Sequence, residues 1–240
     1  DKKTKPTINR MRIVVFDNES TDGSQEYIKQ HPKCTLIEFG TNNQLRDDIH
    51  MLIKNSAWKE SRGVADWVIV SDIDEFLFHK NLKKQLHFCR QQGVTIPSVV
   101  GFNMLSDHYP QEGRLITEQI KYGAYSKQFS KQIIFDPNKI VEINYSAGGH
   151  AIDPQGEVNV GGVGFKLLHY KYIGNPQRIQ SRWEAMGKSL SPVNIKNNWA
   201  VERMNAEVVL KRFDYVKAHA ELVIDNSFLE WRSKLNRLFR

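Results

Sequence analysis

The sequence predicts a single α/β domain in which helices flank a mixed β-sheet and further helices follow at the C-terminal end. Its first half alternates β-prone apolar runs with segments of helical periodicity, the pattern of a mostly parallel sheet. Beyond residue 104, short β-prone runs are separated by Gly and Pro turns, which indicates mixed or antiparallel pairing. Helical periodicity returns at Pro176.

The elements of the first half can be placed one by one. Residues 11–16 form a β-branched apolar run that predicts a strand, and the helix after it is expected to begin at Gln25, capped by Ser24 or Asp22. Further elements are expected as a strand at 34–39, an amphipathic helix at 45–60 closed near Gly63, a strand at 67–70 running to Asp72, a helix from Leu82 to Cys89 ended by Gly93, and a strand at 99–104.

The second half is expected to hold strands at 131–135, 140–145 and 163–170. Near the end of the chain, apolar residues recur at helical spacing and predict an amphipathic helix that packs on the domain, with a subunit interface or a lipid-facing position as alternatives. This stripe comprises Ile224, Phe228, Trp231, Leu235 and Leu238. The predicted elements therefore divide the single domain into a first part at about 11–104, a second part at about 105–175 and a helical segment at about 176–240.

The composition limits the classes of binding partner and the cellular compartment that we expect. The formal net charge of +7 favours anionic partners such as a nucleotide diphosphate or an anionic membrane surface. The dispersed basic residues carry no RNA- or DNA-binding signature, which argues against nucleic acid. Cys34 and Cys89 are too few for a disulfide framework, and no apolar run reaches the length of a membrane span. We expect a cytoplasmic protein with a peripheral contact at the inner face of the membrane.

Acidic side chains are concentrated at Asp72-Ile73-Asp74-Glu75, directly after the apolar run 67–70. If the strand continues, Asp72 and Asp74 point to the same side, where like charges about 5–6 Å apart repel by roughly 3 kcal/mol. A cation between them relieves that repulsion, and oxygen donors suit Mg²⁺ or Mn²⁺. A solvated acidic turn is the alternative interpretation.

A second acid ends the first predicted strand. Residues 11–16 lead directly into Asp17 and Asn18, which open a segment of turn-forming residues. In open α/β sheets, ligands bind beyond the carboxyl ends of the strands. Two strands that each end in an aspartate, Asp17 and Asp72, therefore predict a site at one rim of the sheet.

These residues also carry a family resemblance. The segment VVFDNESTDGS, followed about fifty residues later by DWVIVSDIDEF, resembles the family 2 glycosyltransferases, especially the branch that builds bacterial surface polysaccharides. The segments KQIIFDPNKI, GGHAIDPQGEV and KLLHYKYIG follow in the order of that branch, so the resemblance covers roughly residues 12–200. It implies a GT-A fold, a nucleotide-sugar donor, a divalent metal (Mn²⁺ or Mg²⁺), and inverting transfer to a glycan or lipid-linked acceptor, as in lipopolysaccharide or capsule synthesis.

The resemblance also implies roles for parts of the chain and for individual residues. Residues at about 11–104 would form the nucleotide and metal half, and residues at about 105–175 the acceptor half. Asp17 and Asn18 would bind the donor nucleotide, with Asp17 accepting a hydrogen bond from the base. Asp72 would contact the ribose or the metal, and Asp74 would coordinate the metal that bridges the donor diphosphate. His169 would add an imidazole ligand to the same metal. Glu75 is expected to make a structural hydrogen bond instead.

Other groups that the reaction needs are expected further along the chain. Inverting transfer requires a general base for the acceptor hydroxyl, and Asp107 is our first choice. His150, which follows the permissive Gly148-Gly149 pair, could contact the acceptor or the metal. Arg178 and Arg182 suit bidentate binding of the diphosphate. Asp153 and Glu157 are further candidates for the base.

The sequence departs from the family pattern at its start and leaves alternatives open. Residues 1–10 are Lys-rich and lack the family's opening strand and short N-E segment, so we expect the first βα unit to be missing. An inactive sugar- or nucleotide-binding module of a larger assembly is one alternative. A haloacid-dehalogenase-type phosphotransferase with Asp72 as nucleophile is another, although Glu75 and Phe76 do not fit its pattern.

Overall fold

A parallel βαβ unit opens the described chain. The structure is a computed structural model, and it describes residues 11–225. Strand β1 (Ile13–Asn18), helix α1 (Ser24–Gln30) and strand β2 (Cys34–Phe39) confirm the first three predicted elements, and β1 and β2 pair in parallel. The predicted cap is wrong, because Gly23 occupies the N-cap position with a φ of 87° and no side chain of the described residues caps α1. The Asp22 carboxylate does accept a hydrogen bond from the backbone N–H of Ser24 at 3.1 Å.

The next elements carry the acidic segment and the first long strand. The helix predicted at 45–60 is split into α2 (Asp47–Ser56) and a 3₁₀ turn over Ala57–Ser61. It is followed by strand β3 (Val68–Ile69), strand β4 (Glu75–Phe78), helix α3 (Leu82–Gln91) and strand β5 (Ile96–Ser106). Gly93 has a φ of 68° just after α3, which confirms the predicted helix end.

The remaining elements confirm the change of pattern in the second half. They are helix α4 (Ile116–Gln119) and strands β6 (Tyr122–Tyr125), β7 (Ile134–Phe135), β8 (Ile140–Glu142), β9 (Gln155–Gly156) and β10 (Val160–Ile173), then helices α5 (Pro176–Lys188), α6 (Pro192–Lys196) and α7 (Ala206–Ala218) and strand β11 (Glu221–Leu222).

The main sheet has five strands in the order β11-β6-β5-β10-β4. Strand β10 lies parallel to β5 on one side and antiparallel to β4 on the other, and β5 pairs antiparallel with β6. The sheet is therefore mixed, as the sequence predicts for the molecule as a whole. Side chains of its two long strands, including Phe102, Met104, Phe165 and Leu167, are fully buried and form the centre of the core.

The prediction of a mostly parallel sheet in the first half is wrong. Strands β1 and β2 form a separate pair, and β3 pairs antiparallel with β7. The strand expected to reach Asp72 stops at Ile69, because the chain turns over residues 72–75, where the Glu75 N–H donates to the Asp72 carbonyl at 3.1 Å. Asp72 and Asp74 therefore lie in a turn rather than on one face of a strand.

The C-terminal helices pack on the first half of the chain. The side chain of Asn194 in α6 is fully buried, accepts from the Asp47 backbone N–H and donates to the Asp47 carboxylate. Trp183 in α5 and Phe213 in α7 belong to one buried cluster with Tyr172. These contacts fix α2 relative to the main sheet. The predicted helix that carries Phe228 to Leu238 lies outside the described residues, as does the Lys-rich start.

Cys34 and Cys89 are free thiols. Among residues 11–225, none of the helices combines the length and the apolar character needed to cross a membrane.

Candidate active site

The pairing of β4 with β10 places Asp74 beside His169. His169 is the register partner of Glu75, and the Tyr170 N–H donates to the Asp74 carbonyl at 2.8 Å, which extends the ladder by one bond. As a result, Oδ2 of Asp74 lies 3.5 Å from Nε2 of His169. An aspartate and a histidine nearly a hundred positions apart in the chain thus meet at the end of a strand, which brings together two of the predicted metal ligands.

The His169 ring is held from two further directions. Its Nδ1 lies 2.8 Å from Oδ1 of Asn103, its register partner on β5. Because a carbonyl oxygen only accepts, Nδ1 donates in this contact, and the second nitrogen faces Asp74. The Phe129 ring stacks on the imidazole at a centroid distance of 3.9 Å. The ladder between β5 and β10 shifts register just after His169, an irregularity of the kind often found beside active sites.

Asp72 has different partners. Its Oδ1 lies 2.6 Å from Nζ of Lys54 on α2, and its Oδ2 lies 3.7 Å from Nζ of Lys131. The buried Lys131 also contacts the Glu75 carboxylate at 2.5 Å, and Glu75 accepts from the Asp72 N–H at 3.3 Å. Glu75 therefore makes the structural contacts that the sequence predicts for it, and two lysines neutralise Asp72.

The acidic pair is held ionised. Burial acts to raise the pKa of Asp74, but the His169 contact and the positive charges of Arg182 and Lys171 outweigh it and lower the pKa to about 2. Burial likewise acts to raise the pKa of Asp72, and the charges of Lys54 and Lys131 bring it below its usual value. Both carboxylates are therefore anions at neutral pH.

Of the two predicted arginines, the structure brings one to this site. The charge of Arg182 acts on Asp74 together with that of Lys171. Arg178, one turn earlier on α5, instead stacks its guanidinium 4.6 Å above the Tyr109 ring. Arg178 is thus not brought to the acidic pair, and its expected contact with the diphosphate stays a prediction.

His150 lies on the other side of Phe129. Its Nδ1 lies 3.0 Å from the Gln128 carbonyl, and its ring meets that of Phe129 edge to face at 5.5 Å. Burial is the main cause that lowers the pKa of His150, and the charge of Lys131 adds to it, so the ring is neutral at neutral pH. Gly148 has a φ of 70°, and a Cβ at this position would lie 2.8 Å from the His150 ring. Both the backbone conformation and the close ring therefore favour glycine here.

The other base candidates lie at the surface. Asp107 is exposed in the turn that follows β5, and Asp153 is exposed between β8 and β9. The Glu157 carboxylate is paired with Lys139 at 2.9 Å. A catalytic role for Asp107 stays a prediction.

Asp17 and Asn18 are held within the first βαβ unit. The buried Asp17 carboxylate accepts from the Ser20 N–H at 3.0 Å and from Gln25 Nε2 at 2.6 Å, and Asn18 Nδ2 donates to Thr41 Oγ1 at 3.0 Å. Burial acts to raise the pKa of Asp17, and these hydrogen bonds lower it overall. Within residues 11–225, the contacts of Asp17 and those of Asp72 share no residue, so the predicted common rim stays a prediction.

Comparison with known protein families identifies the family to which this chain belongs. The family model described as glycosyl transferase family 2 matches residues 2–149, more than half of the chain. The chain belongs to the family 2 glycosyl transferases. It is therefore a glycosyltransferase with a mixed α/β fold consistent with GT-A, which favours that prediction over the phosphotransferase alternative. A comparison with curated proteins gives no match.

Members of such a family commonly use a divalent metal, so the fit of the site to a metal matters. Among the described residues, no group of three His, Cys, Asp or Glu side chains is arranged to hold one. Asp74 and His169 supply one oxygen and one nitrogen that face each other at 3.5 Å. Because Mg²⁺ in such sites is held by one or two carboxylates together with substrate phosphates, this pair fits a metal that is bound jointly with a diphosphate. Asp72 could join it only by releasing Lys54.

Several residues that build this glycosyltransferase site are absent from the sequence predictions. Asn103 and Phe129 orient His169, while Lys54 and Lys131 neutralise Asp72. Gly101 is the residue that the sequence could have revealed, because a glycine inside a strand pattern indicates close approach of another backbone. The lysines match no motif.

Proposed function

We propose that this glycosyltransferase is metal-dependent and inverting, and that it moves a sugar from a nucleotide-sugar donor to a glycan or lipid-linked acceptor during synthesis of a bacterial surface polysaccharide such as lipopolysaccharide or capsule. The observation that carries the proposal is the Asp74–His169 pair, with an ionised carboxylate 3.5 Å from an imidazole nitrogen whose ring is fixed by Asn103. A carboxylate and an oriented imidazole are groups that can hold a cation bridged to a diphosphate.

The surrounding charges support the same function. Arg182 and Lys171 act on Asp74, Lys54 and Lys131 contact Asp72, and Lys131 also contacts Glu75, so four basic side chains lie near three carboxylates. Burial lowers the pKa of Lys171 to about 7, so the other three carry most of the positive charge at neutral pH. An incoming diphosphate would pair with these basic side chains. Bound Mn²⁺ or Mg²⁺ would supply Lewis-acid neutralisation of the leaving nucleoside diphosphate. We assign Asp74 and His169 as its ligands, with Asp72 as a third ligand or a ribose contact.

The proton of the acceptor hydroxyl needs a base near this centre. The contacts favour His150 over Asp107, because His150 packs on the phenyl ring that also covers His169. Its Nδ1–H is directed at the Gln128 carbonyl, which leaves Nε2 as the acceptor, and its lowered pKa keeps that nitrogen unprotonated. Asp17 and Asn18 are assigned to the donor nucleotide.

The proposed cellular location and partners follow from the net charge and from the family. We place the enzyme in the cytoplasm, with a peripheral contact at the inner membrane face, since its formal net charge of +7 favours anionic surfaces. Nucleic acid is not a partner in this proposal. The C-terminal stripe offers a route to an oligomer.

Calorimetry with UDP, GDP and CDP, with and without Mn²⁺, tests the proposal. We expect one nucleotide to bind in a Mn²⁺-dependent manner, and Asp74→Asn to weaken that binding at least about tenfold. Asp214→Asn, which removes an exposed carboxylate on α7, is the matched control and should leave the affinity unchanged. Metal-independent binding, or equal affinity in both variants, would contradict the proposal. The anomeric configuration of the product, read by NMR, tests inversion.

A further inference from the structure

A cavity of about 340 Å³ lies beside the candidate active site. It is formed where β5 and β6 face helix α7, a helix that lies beyond the segment matched by the family model. Its lining includes Asn103, Tyr125, Phe129, Lys211, Arg212 and Tyr215.

The cavity shares a wall with the proposed metal centre. Asn103 and Phe129 both line it, and these two side chains hold the imidazole of His169. Gln128, whose carbonyl lies 3.0 Å from Nδ1 of His150, lines it as well. A molecule in the cavity would therefore lie one side chain away from both histidines. That position suits the second substrate of a transfer reaction.

The lining has the chemistry of a saccharide site. Tyr125 and Tyr215 present rings that are 41% and 57% exposed. Tyr215 is already stacked on His219 at a centroid distance of 4.1 Å, so its ring is ordered before any ligand arrives. Aromatic rings with a polar edge suit the apolar faces of sugars, and the amide and hydroxyl groups of Asn103 and Ser126 can bond sugar hydroxyls.

The charge of the lining is positive. Lys211 and Arg212 contribute two cations, and none of the described residues that line the cavity is Asp or Glu. Both are already in loose ion pairs, with 3.9 Å between Lys211 and Glu207 and 3.6 Å between Arg212 and Glu202. Such partly exposed pairs contribute little energy, so both cations can turn to a ligand at small cost.

We propose that this cavity binds the acceptor, and that the acceptor is a saccharide bearing an anionic group, either a sugar carboxylate or a phosphate. The inference rests on the proposed function, because an acceptor is meaningful only for a transferase. It adds the substrate class: the two tyrosines stack on the sugar, while Lys211 and Arg212 bind the anion.

A glycan array probed in EDTA tests acceptor binding separately from donor and metal binding. Three arms are compared: neutral glycans, glycans with uronic acids and phosphorylated glycans, with affinities then measured by titration. We expect binding to one or both acidic arms. Lys211→Glu and Tyr215→Ala should each weaken it by about fivefold or more, and Lys217→Glu, an exposed charge reversal on the same helix, is the matched control.

The outcomes separate this inference from the proposed function. Retention on the uronic-acid arm alone identifies a carboxylate, and retention on the phosphorylated arm alone identifies a phosphate. Binding confined to neutral glycans, no binding at all, or equal loss in Lys211→Glu and Lys217→Glu would overturn the inference. Mn²⁺-dependent nucleotide binding that survives in Lys211→Glu would show that the donor site is intact, so failure on the array would then concern the acceptor alone.

Discussion

Asn103 and His169 are register partners on adjacent parallel strands, and their side chains form a hydrogen bond of 2.8 Å between Oδ1 and Nδ1. The bond fixes the orientation of the imidazole and directs its second nitrogen toward Asp74. A partner of this kind commonly accounts for a factor of 10–100 in metal affinity. We therefore expect the proposed metal site to depend on Asn103, although Asn103 is not one of its proposed metal ligands.

We expect Asn103→Leu to weaken Mn²⁺-dependent nucleotide binding by about 10–100-fold, because the imidazole loses its orienting acceptor. Asn103→Asp keeps an acceptor oxygen at the same place and should bind at least as tightly as the unaltered protein. Calorimetric Kd values for the nucleotide in Mn²⁺ provide the measurement. Equal affinities in the two variants would show that orientation by residue 103 is unimportant.

Lys54 is expected to compete with the metal. Its ammonium lies 2.6 Å from Oδ1 of Asp72 and opposes a second cation there. Lys54→Met should therefore tighten Mn²⁺ binding in the absence of nucleotide by about 3–10-fold, since a screened repulsion of about 1 kcal/mol is removed. Electron paramagnetic resonance of free Mn²⁺ measures the change. Lys59→Met, one helical turn on and paired with Glu142, is the control, and an equal change there would refute the competition.

Gly101 permits the loop that carries Phe129 to cross the main sheet. The Ser126 N–H donates to the Gly101 carbonyl at 2.9 Å, and the Gly101 N–H donates to Ser130 Oγ at 3.0 Å. A Cβ at this position would lie 2.0 Å from the Phe129 carbonyl oxygen. A side chain larger than hydrogen must therefore push the loop, and with it the ring that stacks on His169, away from β5.

Gly101→Ala should lower the free energy of unfolding by about 3 kcal/mol, because backbone rather than a flexible side chain must move. Gly161→Ala on β10 would place its Cβ 3.2 Å from a Val94 methyl group and should cost less than about 1 kcal/mol. Urea denaturation measures both values. Similar losses in the two variants would mean that the crossing at Gly101 is not a special constraint.

Local patterns predicted the elements well and the pairings poorly. Strand β2 has the predicted bounds, and helix α3 ends at the predicted glycine, because β-branched runs and helical periodicity act over a few residues. The pairing of β4 with β10 joins residues that lie about ninety positions apart. No local pattern encodes such a contact, so the sequence places the strand end at Asp72 rather than at Ile69 and does not predict that Asp74 meets His169.

The candidate site residues that belong to a sequence motif were predicted, and those that reach the site only through the packing of the fold were not. Asp74 and His169 came from ordered family segments, and the structure brings them together. Lys54 and Lys131 each look like an ordinary lysine in the sequence, and their role depends on burial beside Asp72. Charged side chains are rarely buried unless paired, so such roles become visible only once the fold is known.

Lys166 lies on β10, three residues before His169, and links stability to pH. Its side chain is buried, donates to the Val223 carbonyl, and has a pKa lowered by burial to about 8 from the usual 10.5, although Asp225 and Glu221 act in the opposite direction. Between these two values the unfolded chain binds more protons at this group than the folded chain does. The free energy of unfolding therefore rises with pH across that window, whereas below pH 8 the full cost of burying the charge is present.

The rise attributable to Lys166 is expected to be roughly 3 kcal/mol between pH 7.5 and 10.5. Lys166→Met removes the titrating group, so its unfolding free energy lacks this rise. The unaltered protein should therefore gain stability relative to Lys166→Met as the pH increases. Urea denaturation at pH 7.5, 9 and 10.5 measures that difference, and other titrating groups cancel in it. Lys83→Met, an exposed lysine on α3, should show no such trend. A difference that stays constant with pH would mean that Lys166 remains charged in the folded protein throughout this range.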